Sequence, residues 1–474
     1  MDDAEFRRRA HELVDWMADY LANVRAYPVK SPAAPGDIRR QLPDLPPETP
    51  EAFDDIMADF RRIIMPGITH WQHPRFMGYF PANSSPASVL AEMLTATLGV
   101  QGMLWQTSPA AAELEEQMML WLGAMIGIPA GWDGVIQDTA STATLTSILT
   151  AREQASDYGV NQTGLQDRPR YAVYGSSETH SSIEKAVKIA GLGRENLRKV
   201  AVDAGFALRP EVLEEAVCRD EDSGIRPLCA VATLGTTGST AVDPLRRIGE
   251  ICRRHRLWLH VDAAYAGTAL VLPEMRWMID GIEEADTFVF NPHKWMFTNF
   301  DCSAYFVKDR GALIRTFEIL PEYLKTRETA AVNNYRDWGI PLGRRFRALK
   351  LWFVIRTYGL SGIREKLRLQ IGLARGVADR IMESDDFELL APAPLNVLCF
   401  RYRPTGAADS EALNRLNERL LEEVNRTGRV FITHTKLNGA FTLRMVIGQT
   451  QVTADDVDLA WETIAGTARA LGRG

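Results

Sequence analysis

LWLHVDAAY (257–265) and DTFVFNPHKW (286–295) are the two stretches on which the reading of this chain turns. Each is an apolar run of strand length, rich in β-branched and aromatic residues, and each stops abruptly at polar residues: Asp262 in the first, Asn291, His293 and Lys294 in the second. Runs that stay apolar along their whole length suit strands buried on both faces. Outward from these two, GVIQ (134–137), RYAVYG (170–175), LCAVATLG (228–235) and CSAYFV (302–307) repeat the pattern with helical segments between them. The alternation predicts a mostly parallel α/β sheet. Such sheets gather ligands at the carboxyl ends of their strands, so the polar residues there are the candidates for chemistry.

The flanks differ from this centre. MDDAEFRRRAHELVDWMADYL at the N-terminus is an amphipathic helical pattern, and prolines 28, 32, 35, 43, 46, 47 and 50 make the connector after it an irregular arm. A helix of this kind cannot bury its apolar face alone and needs another domain or another subunit. After about Leu351 come a strand (NVLCFRYRP, 396–404), a helix (SEALNRLNERLLEEVNR, 410–426), two strands around an Asn438-Gly439 turn, and a last helix from about Thr453, with Asp456 placed for a capping box. These predict a small α+β domain. The expected division is an N-terminal helical arm over 1–85, a large α/β domain over 86–350 and a C-terminal domain over 351–474.

Bulk properties narrow the class. At 474 residues, 46% hydrophobic and 24% charged, with a net charge of −7, the chain has no basic footprint for nucleic acid and no apolar run of the ~20 residues a membrane span requires. Five cysteines without C-x-x-C spacing indicate neither a disulfide framework nor a zinc site. A cytoplasmic protein acting on small molecules, with no metal, is the expectation.

Four strand-end features bear on chemistry. Lys294 follows the run 287–290, where its amine can form an imine with an aldehyde cofactor; an isolated lysine in such a place is usually a solvated loop residue. Asp262 can pair with a protonated pyridine nitrogen, although an aspartate at a strand end more commonly caps a helix. Ala263 and Ala264, being small, leave room for a flat ring there. QDTASTAT (137–144) opens a helical pattern with hydroxyls and free N–H groups, an anion site suited to phosphate or a plain N-cap. His180, after the strand 170–175, can stack on a ring, or simply start a helix. Each feature is weak alone, and together they supply imine, electron sink, phosphate grip and ring stack.

With these residues in place, the chain resembles a group II pyridoxal-5'-phosphate (PLP) decarboxylase of the aromatic-L-amino-acid decarboxylase family. The resemblance runs through HWQHPRFMGYFP (70–81), SPAAAELE (108–115), HVDAAYAG (260–267), NPHKW (291–295), NFDCSAYFVK (299–308) and IPLGRRFRALKLWFV (340–354). It implies the fold-type I, aspartate aminotransferase-like architecture and a homodimer with active sites at the interface. It also implies Lys294 as the Schiff-base lysine, Asp262 as the pyridinium partner, His180 as the stacking histidine, Ala140 and Ser141 as the phosphate-binding pair, and Ala264 as the small residue beneath the ring. Thr236, Asn291 and His293 fall on further cofactor-site positions.

The polar stretch from Glu322 to Trp338 reads as a loop, on which the resemblance makes Tyr323 the acid that protonates the α-carbon after carbon dioxide leaves. Trp71, Tyr79, Phe80, Pro81, Gln101 and Met103 are similar to the family's side-chain pocket, although an aromatic stripe is more often core. Gln101 and Met103 replace the isoleucine and phenylalanine usual in the animal enzymes, and Ala82 replaces a threonine, so the order of preference among tryptophan, tyrosine, phenylalanine and dihydroxyphenylalanine stays open. The expected reaction is decarboxylation of an aromatic L-amino acid to its amine. Two alternatives stand beside it: aldehyde synthesis by oxidative decarboxylation–deamination on the same fold, and a non-catalytic PLP-fold binding protein. Related aldehyde synthases typically lack the tyrosine or the histidine, and this chain has both.

Overall fold

A computed structural model describes residues 1–319, 332–406 and 409–472. The chain divides into two compact units, one made of Met1–Pro81, Leu373–Leu390 and Leu398–Gly474, the other of Ala82–Gly372 and Ala391–Val397.

The larger unit is built on seven strands: β1 (Asp133–Gln137), β2 (Tyr171–Ser176), β3 (Leu197–Val200), β4 (Arg226–Thr233), β5 (Trp258–Asp262), β6 (Thr287–Phe290) and β7 (Ser303–Val307). They lie in the order β1-β7-β6-β5-β4-β2-β3. Strands β3, β2, β4, β5 and β6 run parallel. Strand β7 is antiparallel to both β6 and β1, with Gln137 opposite Ser303. Every residue of β2, β5, β6 and β7 is buried, as expected of strands covered by helices on both faces. All six sequence-derived strands of this region are present. The short β3, LRKV, was not foreseen, because two of its four residues are charged and it forms the sheet edge. The reversal of β7 matters for the site: its first residue, not its last, lies beside the carboxyl ends of β1 and β6.

The smaller unit carries a four-stranded sheet of β8 (Phe387–Leu389), β9 (Val397–Tyr402), β10 (Thr433–Leu437) and β11 (Ala440–Val446), in the order β10-β11-β9-β8. Asn438 and Gly439 join β10 to β11 with φ of 49° and 81°, the two positive values a type I′ hairpin turn needs. Thr453 and Asp456 form the expected reciprocal cap at the start of helix Ala454–Gly472. The arm folds back within this unit: Arg25 pairs with Asp456 at 2.8 Å and Val29 N–H donates to Gly428 O. Helix Asp3–Asn23 packs Trp16 on Phe60 and Tyr20 on His70, yet it leaves Phe6 60% and Val14 40% exposed, so its apolar face is only partly covered by the described residues. Among the described residues no helix is long and apolar enough to cross a membrane.

Candidate active site

The carboxyl ends of β5 and β6 organise the site. Asp262, the last residue of β5, is 5% exposed, and its Oδ1 accepts the Ala264 N–H at 3.0 Å. A carboxylate buried this deeply is costly to keep charged on one backbone donor, so its second oxygen suits a donor carried by a bound group. Ala264 itself is half-buried and offers only a methyl group.

Lys294 sits in the single helical turn Pro292–Trp295 after β6, half-buried, and its N–H donates to Asn291 O at 2.9 Å. The turn is pinned on three sides. Asn291 N–H donates to Ala264 O at 3.0 Å, and Asn291 Oδ1 accepts the Ser303 hydroxyl at 2.7 Å. His293 Nδ1 accepts the Cys302 N–H at 2.9 Å; burial first, and the Lys294 ammonium next, push that imidazole down to about 3, so it acts as a neutral brace. Trp295 stacks on Tyr265 with ring centres 4.9 Å apart.

His180 follows β2 and caps helix Ser181–Ile189. Its Nδ1 accepts the Ser182 N–H at 3.1 Å and lies 2.8 Å from the Ser182 hydroxyl. A ring nitrogen that accepts a backbone N–H carries no proton, which leaves the ring proton on Nε2. Part of the residue is open to solvent, but desolvation of the ring holds its pKa below the ordinary value; the Asp262 carboxylate opposes this and the Lys294 ammonium reinforces it. Residues from β2, β5 and β6 therefore share one electrostatic neighbourhood.

Thr139 caps helix Ala140–Ala155 by accepting the Thr142 N–H. The N–H groups of Ala140 and Ser141 open the helix, as an anion site requires. Thr236 is fully buried in the loop after β4, where its hydroxyl accepts the Ala241 N–H at 3.1 Å, and Leu234 N–H ties that loop to Asp262 O at 2.9 Å. Tyr323 lies outside the described residues.

The six residues read as a side-chain pocket divide between the two units. In the smaller unit, Trp71 and Tyr79 stack at 5.8 Å, Phe80 lies under the Arg444 guanidinium at 4.6 Å, and Pro81 is buried. In the larger unit, Gln101 accepts the Arg344 N–H and Met103 O accepts the Arg336 N–H.

Two contributors escaped the sequence reading. Ser303 lies 2.7 Å from Asn291 Oδ1 and 3.3 Å from Asp138 O, a position that follows only from the antiparallel β7. His260 precedes Asp262 by two strand positions and so shares its face. It is fully buried, with Nε2 3.2 Å from Thr144 Oγ1 on the helix Ala140–Ala155 and Nδ1 2.9 Å from Thr287 Oγ1 on β6. Burial pushes it down to about 4. It thus cross-braces the elements that carry Asp262, Lys294 and the helix start; its spacing from Asp262 was the available signal.

Comparison with known proteins gives concordant results. Residues 35–403 match the family model described as the pyridoxal-dependent decarboxylase conserved domain. The chain is 42% identical to "Tyrosine decarboxylase 4" of Petroselinum crispum, covering 99% of this chain and 94% of that protein. It is also 42% identical to "Phenylacetaldehyde synthase" of Arabidopsis thaliana, over 99% and 97%. Among solved structures, Oryza sativa TDC with PLP and tryptamine superposes with a TM-score of 0.96 at 35% identity, covering 99% of each chain.

Proposed function

The chain belongs to the pyridoxal-dependent decarboxylases, and on that premise we propose that it converts an aromatic L-amino acid into the corresponding amine and carbon dioxide. The observation that carries the reading is that Asp262, Lys294 and His180, from the carboxyl ends of the parallel strands β5, β6 and β2, lie close enough for the two charges to act on the imidazole. The donor set fits PLP: an amine for its aldehyde, a buried carboxylate for its ring nitrogen and a helix start for its phosphate. Bound there, PLP would supply an aldehyde for the substrate amine and an electron sink for the pair left by the carboxylate.

The protein's residues supply the rest. Lys294 holds the cofactor until substrate arrives and then serves as a free amine. Asp262, kept from water, holds a proton on the ring nitrogen as an ion pair. Ala140 and Ser141 hold the phosphate through their N–H groups. His180 would stack on the cofactor ring, Ala264, offering only a methyl group, would leave room for that ring, and His180 Nε2–H would be a donor for the substrate carboxylate. Tyr323 delivers the proton to the α-carbon. Thr236, Asn291 and His293 keep the loops that carry these groups in register.

The aromatic substrate class is supported by the names of the relatives. The working enzyme is a cytoplasmic homodimer whose active sites lie at the interface. Two exposed apolar features support this: Phe6 and Val14 on helix Asp3–Asn23, and Leu90, Leu94 and Leu98, a stripe on helix Pro86–Leu98 that is 53%, 46% and 61% exposed. The cysteines are free, four of them buried, in keeping with a reducing compartment.

A second reading, aldehyde synthesis, is favoured by the equally similar phenylacetaldehyde synthase, whereas the presence of His180 and Tyr323 favours plain decarboxylation. Product analysis on tyrosine, tryptophan, phenylalanine and dihydroxyphenylalanine separates them. Amine and carbon dioxide in equal amounts support the proposal; stoichiometric aldehyde, ammonia and peroxide overturn it.

A further inference from the structure

At the amino ends of the strands of the large sheet, before the first residues of β4 and β5, two helices end side by side. Helix Pro210–Asp222 carries Glu214, Cys218 and Glu221 at positions i, i+4 and i+7, one face of the helix, and His255 is the last residue of helix Leu245–His255. The Cys218 sulfur, a Glu221 carboxylate oxygen and a His255 ring nitrogen all lie within 4.8 Å of one another. His255 Nδ1 is 3.1 Å from Glu221 Oε2, while its Nε2 is 3.8 Å from Glu214 Oε1.

We propose that Cys218, Glu221 and His255 bind a single divalent cation of borderline softness, of the Zn²⁺ class, with solvent completing a four-coordinate shell. Three arguments converge on it. The donors are sulfur, nitrogen and oxygen, the set such ions prefer, whereas Ca²⁺ and Mg²⁺ take oxygen alone. Metal–ligand bonds of about 2.0–2.3 Å put the ligands of a tetrahedral site roughly 3.3–3.7 Å apart, so closing the present triangle asks for shifts of about 1 Å, which the exposed Cys218 and Glu221 side chains can make around the half-buried His255. Both helices end here, and the partial negative charge of two carboxyl-terminal turns favours a cation.

Glu214 completes the arrangement. A metal on Nδ1 leaves Nε2–H facing the Glu214 carboxylate, the outer hydrogen bond that orients ligating histidines. Arg254, one of three arginines around Glu221 and His255 with Arg226 and Arg256, is paired with Glu214 rather than with the ligating Glu221. Sequence spacing hides the site, because His255 comes from a different helix. Eight-residue β4 separates it from the Asp262 edge by roughly 25 Å, so metal and cofactor can be followed independently.

The test is a Co²⁺ titration of the chelator-treated, cofactor-loaded full chain, free of any histidine tag, followed by absorption. One equivalent is expected to give intense four-coordinate d–d bands at wavelengths beyond the cofactor's own absorption, with a thiolate-to-cobalt band, and Zn²⁺ should displace it. Cys218→Ser should lose the thiolate band and keep parental activity. His255→Gln should bind at least ~10-fold more weakly, and Glu214→Gln should keep the bands with affinity lowered about 10-fold. A weak six-coordinate spectrum overturns the proposal, as do bands that persist unchanged in Cys218→Ser and His255→Gln.

Discussion

His180 Nδ1 accepts the backbone N–H of Ser182 at 3.1 Å, so the first turn of a helix fixes the tautomer of the histidine proposed to stack on the cofactor. The backbone donor survives any change at Ser182, whereas only the imidazole can offer Nε2–H. Ser182→Ala is therefore expected to lower kcat by less than about 10-fold and His180→Gln by at least ~100-fold, the usual scale for losing a positioned proton donor. Equal losses in the two variants, measured with cofactor saturating, would point to the Ser182 hydroxyl as the working group.

Asp262 is the buried carboxylate proposed to face the cofactor's ring nitrogen. Asp262→Asn keeps the shape and the Ala264 contact but removes the negative charge, and should cost ~100- to 1,000-fold in kcat in fully cofactor-loaded enzyme. Turnover near the parental rate in that variant would contradict the role given to the carboxylate.

His260 makes a pH-dependent contribution to stability. Its folded pKa of about 4 lies below the ordinary 6.5, so the unfolded chain takes up its proton first as pH falls. The contribution is complete above about pH 6.5 and is lost progressively down to about pH 4. The stability gap between the parent and His260→Gln should thus shrink on acidification, by about 3 kcal/mol across that window. Denaturant unfolding at several pH values measures it, and a gap independent of pH would mean that the imidazole is not held neutral.

The arm bears on assembly. Deleting Met1 to Pro50 should leave a monomeric or insoluble chain, because apolar surface that the arm would cover in the proposed dimer becomes exposed. Sedimentation of the truncated chain decides the matter; a soluble, active dimer refutes the role assigned to the arm.

Tyr323 separates the two readings of the reaction. Tyr323→Phe should bind PLP and release carbon dioxide, since neither step uses the phenol, but without its proton donor more of the product should form by reaction with oxygen. The amine-to-aldehyde ratio should fall in air and recover without oxygen. A variant making only amine in air at the parental rate would place the proton source elsewhere.

Much of the sheet was legible, because an apolar run of strand length that stops at polar residues suits a strand buried on both faces and little else. The Asn438-Gly439 hairpin and the Thr453–Asp456 cap were legible because each is decided by residues close together in the chain. What escaped depends on distant partners. LRKV becomes a strand only because β2 offers it an edge, and FEL (387–389) only beside β9. Ser303 acquires its place from the direction of β7, which no local pattern encodes. In the candidate site, single residue types at strand ends stood out, while the hydrogen bonds that hold them, such as those of His260 and Ser303, required the pairing of strands far apart in sequence.

Strand β1 has one neighbour in the sheet, and that neighbour is β7, with Gln137 paired to Ser303. During synthesis β1 and the helix behind it emerge early, yet the ladder that seats them does not exist until residue 307 has left the ribosome. Until then an apolar strand waits without a partner, and β6 presents an open edge. Chains ending between residues 290 and 303 should accordingly be the most aggregation-prone of any truncation series, and the helix start and the lysine can meet in one site only as the last strand of the sheet closes.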